Sequence, residues 1–131
     1  MKNGLLKSFG CAFSGIGTLF ARERNAQIHL AIFCGVVAAG FFFSLTVLEW
    51  IIIVIVSGLV FAAEAINTSI EILADVVSPE RHPQIKLVKD IAAGAVLLMA
   101  ITAAIVGLIV FLPKIINLLA NVFGIFFKNF G

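Results

Sequence analysis

Two stretches of this chain run the depth of a bilayer without a single charge. Leu30 to Leu48 is one and Ile91 to Leu112 is the other. A helix rising 1.5 Å per residue covers about 30 Å over such a length, which is the thickness of the hydrocarbon core. A third apolar run begins at Trp50, passes Ala63 uncharged, and continues to about Val77 as a helical pattern that admits acidic residues. The composition agrees, with 62% hydrophobic residues and 12% charged in 131. A chain this short has no interior able to hide so much apolar surface from water. We expect an all-α membrane protein with spans at about 28–48, 50–77 and 88–112, forming one membrane domain over residues 1–131.

The remaining segments are amphipathic. Leu5, Phe9, Phe13, Ile16 and Phe20 recur every three or four residues, while Lys7, Ser14 and Thr18 take other faces. That pattern suits a helix over about 3–24 lying in the membrane interface. Lys7, Ser8, Gly10 and Ser14 interrupt the apolar run over residues 1–20 and argue against a cleavable signal peptide. Pro113 is expected to end the third span, leaving residues 114–131 as a second interfacial or partly inserted helix. Cys11 and Cys34 form no motif and read as small apolar side chains. Gly15 and Gly17 read as local close packing.

Charge is scarce, so its placement is informative. The net charge of +2 is too small for a nucleic-acid binder driven by excess positive charge. Lys2, Lys7, Arg22 and Arg24 precede the first span, and Arg81, Lys86 and Lys89 lie between the second and third. The first turn has no base, and only Lys114 and Lys128 follow the third span. The positive-inside rule therefore predicts a cytoplasmic N-terminus and an external C-terminus. Six of the seven acids lie on the cytoplasmic side too, all except Glu49.

The densest information is Glu64-Ala-Ile-Asn67-Thr68-Ser-Ile-Glu71-Ile-Leu-Ala-Asp75. At about 100° per residue, Glu64, Asn67, Thr68, Glu71 and Asp75 share one arc of roughly 100° and make a polar stripe about 16 Å long. Asp75 alone could be a solvated residue at a helix end. Glu64, two turns deeper beside Ala62 and Ala63, is costly there unless something positive faces it. A divalent cation would answer three aligned carboxylates economically. Lys86 and Asp90 have i,i+4 spacing and predict a simple ion pair. Lys89 has no such partner and is left to meet an anion. Between the spans lies the polar turn Ser78-Pro79-Glu80-Arg81-His82-Pro83. Carboxylates beside a lysine at one membrane surface suggest Mg–nucleotide chemistry, and without GxxxxGK[ST] no P-loop supplies it.

Glu64-xx-Asn67-xxx-Glu71-xxx-Asp75, followed by Lys89-Asp90-xx-Ala93-Gly94-Ala95-Val96-Leu97, resembles the small bacterial membrane diacylglycerol and undecaprenol kinases. The likeness extends through Leu112. It implies ATP-dependent phosphorylation of a lipid hydroxyl in the bacterial inner membrane, by a homotrimer with shared active sites. By this resemblance Glu64 is the general base and Glu23 and Glu71 hold Mg²⁺. Lys89, Asp90, Glu80, Arg81 and His82 contact ATP, and Asn67 orders the site. Glu23-Arg24-Asn25-xxx-His29 looks more like the undecaprenol branch, since some members carry an acid where His29 stands. His29 reads equally as a polar tip at the interface.

Two other readings compete. A cation channel would need polar residues through the outer half of a span, where residues 50–63 offer only Ser57 and Gly58. A structural adaptor would have no use for three costly carboxylates. Small residues Gly58, Ala62, Ala63 and Ala92–Ala95 permit close helix contact in an oligomer.

Overall fold

The computed structural model describes residues 2–80 and 82–130, with side chains placed for 4–80 and 82–125. The chain runs as four helices: α1 (Lys2–Arg22), α2 (Arg24–Phe42), α3 (Val47–Val77) and α4 (Pro83–Phe130). Each contains a stretch long and apolar enough to cross a membrane. There is no strand among the described residues. The fold is all-α, as the uncharged runs predict.

The helix ends follow local chemistry more closely than charge. The uncharged run from Leu30 to Leu48 is not one helix, because α2 stops at Phe42 and α3 starts at Val47. The cause is a capping box. Thr46 Oγ1 accepts from the Glu49 amide at 3.3 Å, and Glu49 Oε2 accepts from the Thr46 amide at 2.7 Å. Each side chain thus satisfies a donor that the start of a helix would leave without a partner. Ser44, at φ 52°, takes the left-handed conformation that closes the turn. At the other end of α2, Glu23 is extended (φ −93°, ψ 112°) and separates α1 from α2. Gln27 Nε2 donates to the Phe20 carbonyl at 3.0 Å, occupying one acceptor at the end of α1.

The expected stop at Pro113 does not occur. Helix α4 passes through it without a break, so residues 114–130 are not a separate tail helix. Proline removes one amide donor, a loss that helices in apolar surroundings tolerate when neighbours hold the segment. Here α3 does the holding, through Lys114 Nζ at 3.1 Å from Glu49 Oε1. Beyond that pair the apolar residues from Ile115 to Ile125 stay exposed on the chain.

Helices α3 and α4 form an antiparallel hairpin in contact along its length, and α2 and α1 lie against it more loosely. Asp75 Oδ1 pairs with Lys89 Nζ at 2.9 Å near the connection, and Glu49 pairs with Lys114 at the far end. The two pairs are about 39 Å apart along α3 at 1.5 Å per residue. That distance exceeds the hydrocarbon core and approaches the full bilayer with its headgroups. Between the pairs the chain buries little. Leu45, Ile53 and Val110 form a small cluster under Val36, Trp50, Val106 and Phe111, while most large apolar side chains face outward. A lipid-embedded protein has that distribution, since outward-facing apolar surface costs nothing in hydrocarbon.

Helix α1 is anchored mainly through Leu19, which is buried, and through an edge contact between Phe20 and Phe61 at 5.6 Å. Its stripe of Leu5, Phe9, Phe13 and Ile16 touches no other part of the chain closely enough to be covered. A Cβ added at Gly15 or Gly17 would meet nothing within 4 Å, so the packing expected there is absent within one chain. Cys11 and Cys34 are free thiols.

One glycine has a demanding neighbour. A Cβ at Gly40 would lie 2.6 Å from Trp50 Cη2 and 2.8 Å from Cζ2. Gly40→Ala should push the indole off α2 and destabilise the fold by about 1–3 kcal/mol, the usual cost of overpacking. Trp50 is the only tryptophan, so its emission and thermal unfolding in detergent report the change. An unaltered emission maximum and unfolding midpoint would contradict the contact.

Candidate active site

Along α3 the polar stripe passes from buried to open. Glu64 is 2% exposed, Asn67 7% and Thr68 9%; Glu71 is half-buried, and the Asp75 side chain is 69% exposed. Helical periodicity puts all of them on the face turned toward α2 and α4. Asn67 Nδ2 donates to Glu71 Oε1 at 3.2 Å, which orients the Glu71 carboxylate from one turn away. Three buried oxygens on the stripe, Glu64 Oε1, Asn67 Oδ1 and Thr68 Oγ1, have no hydrogen-bond partner. Such groups are rare in native structures and normally await a ligand, an ion or water.

Two helices complete the surroundings. Asn25 and His29 of α2, Glu64, Asn67 and Glu71 of α3, and Ala93, Val96, Leu97 and Ala100 of α4 line a cleft of ≈ 290 Å³. Glu23, at the α1–α2 break, lies within electrostatic reach of Glu64, as does Glu71. It occupies the N-cap position of α2, but its carboxylate makes no capping hydrogen bond. The oxygens of Glu23 and Glu71 therefore retain capacity for another ligand. Among the described residues no three His, Cys, Asp or Glu groups close into a metal cage. Mg²⁺ does not require one, since it uses one or two protein carboxylates and fills its sphere with phosphate and water.

A second, wider recess of ≈ 590 Å³ sits at the α3–α4 connection. Asp75, Glu80, His82, Lys86, Lys89 and Asp90 line it. Lys86 pairs with Asp90 as its spacing predicts. Lys89 is not left without an acidic partner, because Asp75 meets it across the connection. His82 Nδ1 accepts from the Gln84 amide at 3.2 Å, so His82 caps α4 with Pro83 as the first helical residue. Ser78 Oγ donates to the Glu80 carbonyl at 3.1 Å and shapes the turn. Arg81 lies outside the described residues.

Besides Glu49–Lys114 at the far end of the hairpin, two contacts at the site were not foreseen from sequence. One is Asp75–Lys89, whose signal was available: a short connection forces an antiparallel hairpin, and helical phase then selects facing residues. The other joins α2 to α3, where His29 Nε2 lies 3.4 Å from Glu64 Oε1. No short-range pattern could have given it, because the two residues are far apart in the chain. Past His29 the interior turns apolar. A chamber of ≈ 260 Å³ between Ile32, Val36, Ile53, Val60, Ala104 and Gly107 has only His29 and Ser57 as polar lining residues. The stripe does not continue into a polar path, which gives the channel reading no support.

Known proteins resemble this chain over most of its length. Undecaprenol kinase of Bacillus subtilis is 42% identical over 113 residues, covering 86% of this chain and 92% of that protein. Diacylglycerol kinase of Synechocystis sp. is 38% identical over 116 residues, covering 88% of this chain and 66% of that protein. No solved structure matches. The family model described as prokaryotic diacylglycerol kinase matches residues 10–111, a range that holds the whole stripe, His29 and the α3–α4 recess, and the chain belongs to that family.

Proposed function

We propose that this lipid kinase transfers the γ-phosphoryl group of Mg–ATP to the hydroxyl of a membrane lipid alcohol, with undecaprenol favoured over diacylglycerol. The observation that carries the reading is Glu64, a nearly inaccessible carboxylate whose Oε1 has no hydrogen-bond donor. A hydroxyl reaching that oxygen would find an acceptor already stripped of water. The preference for undecaprenol rests on the Glu23-Arg24-Asn25-xxx-His29 pattern and the greater identity to the undecaprenol kinase.

Glu64 takes the proton of the lipid hydroxyl as its oxygen attacks the γ-phosphorus. The bond from γ-phosphorus to the bridging oxygen breaks, and ADP leaves. Asn67 holds Glu71 in place through its amide. Glu23 and Glu71 supply the protein oxygens for Mg²⁺, which when bound neutralises charge on the nucleotide phosphates. Lys89 and Lys86 offer ammonium groups to the nucleotide in the α3–α4 recess, beside Glu80, Asp90 and the capped start of α4 at His82. Arg81 belongs to this group by the family resemblance.

The assembly we infer is a homotrimer in the bacterial inner membrane, with α1 in the interface and the N-terminus cytoplasmic. Support comes from the placement of the basic residues and from the bare stripe of α1. Gly58 and Gly94 have nothing within 4 Å of an added Cβ, so a neighbouring helix could approach there closely. The number three follows the family resemblance.

Glu64→Gln should leave the protein folded and able to bind ATP but lower phosphoryl transfer to lipid by about 10²–10⁴-fold, the usual contribution of a general base. The check is labelled phosphate from Mg–ATP offered to undecaprenol and diacylglycerol side by side in detergent. Near-normal turnover would remove Glu64 as the base. Glu23→Gln and Glu71→Gln should each raise the Mg²⁺ concentration for half-maximal rate by about tenfold, in line with loss of one ligand. A magnesium titration that superimposes on the native curve would remove them as ligands.

A further inference from the structure

His29 stands where two cavities meet. It and Ala100 are the residues shared by the polar cleft and the apolar chamber, and only His29 brings a polar atom. Its side chain is 22% exposed, and Nε2 lies 3.4 Å from Glu64 Oε1. That approach is not aligned as a hydrogen bond, since Oε1 has no hydrogen-bond donor. A turn of the imidazole together with a slightly closer approach would make it one.

The surroundings single out this ring. From α2 the cleft receives Asn25 and His29, from α3 Glu64, Asn67 and Glu71, and from α4 only apolar side chains. Neither Lys nor Arg lines it among the described residues. Asn67 spends its amide on Glu71. The nitrogen recorded close to the Glu64 carboxylate from a neighbouring helix is His29 Nε2, and it sits on the side facing the apolar chamber.

We propose that His29 is a positioning residue for phosphoryl transfer: its Nε2–H holds the Glu64 carboxylate so that Oε1 faces the seam where a lipid alcohol, with its chain in the apolar chamber, presents its hydroxyl. The assignment deepens the proposed function and rests on Glu64 being the base. A carboxylate oxygen offers several acceptor positions, so Oε1 can take the imidazole N–H and still receive the hydroxyl. Without His29 the carboxylate would rotate away from the seam, and misplacement by about 1 Å can cost about 100-fold in rate.

The test uses the full chain in detergent with Mg–ATP and undecaprenol, comparing His29→Gln, His29→Phe and His29→Asn with Glu64→Gln. The Gln amide reaches the place of Nε2, Phe fills the volume without a donor, and the Asn amide stops short. We expect His29→Phe and His29→Asn to lower kcat by about 10- to 100-fold with the KM for ATP within about twofold. His29→Gln should recover most of the rate. If His29→Phe does not fold, by Trp50 emission and thermal unfolding, His29→Asn serves as the comparator. Full activity in the comparator, or a Gln variant no better than it, would overturn the assignment. So would a loss that appears mainly in the KM for ATP. An inactive Glu64→Gln beside fully active His29 variants would remove His29 alone, whereas an active Glu64→Gln would remove the base and His29 together.

Discussion

Everything in this protein hangs on the antiparallel pairing of α3 with α4. These two helices make the most extensive contact in the chain, and charged pairs fasten both ends, Asp75 with Lys89 and Glu49 with Lys114. Pairs at or near the surface contribute little free energy, typically below about 1 kcal/mol each. Their value lies in register. Sliding one helix past the other would part both pairs at once. The pairing carries Ala93, Val96 and Leu97 across from the polar stripe and forms one wall of the cleft.

On that frame the site is arranged by depth. Asp75 and Lys89 are near the connection, Glu71 and Asn67 lie further in, and Glu64 is deepest, about 16 Å along the helix from Asp75 at 1.5 Å per residue. Water-soluble and lipid-soluble reactants would approach such a site from opposite ends. Polarity declines along one helix face, in the order that the proposed transfer from a nucleotide to a lipid hydroxyl would require. Asn67 stands between the two regions, with its amide committed to Glu71 and its oxygen still free.

The sequence made some of this legible and concealed the rest for definite reasons. Periodicity placed Glu64, Asn67, Glu71 and Asp75 on one face, since a helix obeys that rule whatever surrounds it. Spacing alone gave the Lys86–Asp90 pair. Absence of charge misled at Leu48 and at Pro113. A capping box at Thr46 and Glu49 starts a helix inside an uncharged run, and a neighbouring helix carries α4 through a proline that would otherwise end it. The contact between His29 and Glu64 was hidden because it joins helices that pack loosely and are distant in sequence.

The break at Glu23 has one more implication. Glu71 belongs to the best-anchored helix of the chain, whereas Glu23 follows α1, which is tied down mainly at Leu19 and Phe20 and turns a bare apolar stripe outward. Of the two carboxylates proposed for one ion, the first is fixed by protein and the second by whatever lies beneath α1. On the proposed assignment the surrounding lipid would act as a structural component of the site, and a change of bilayer would reach the chemistry through Glu23 first.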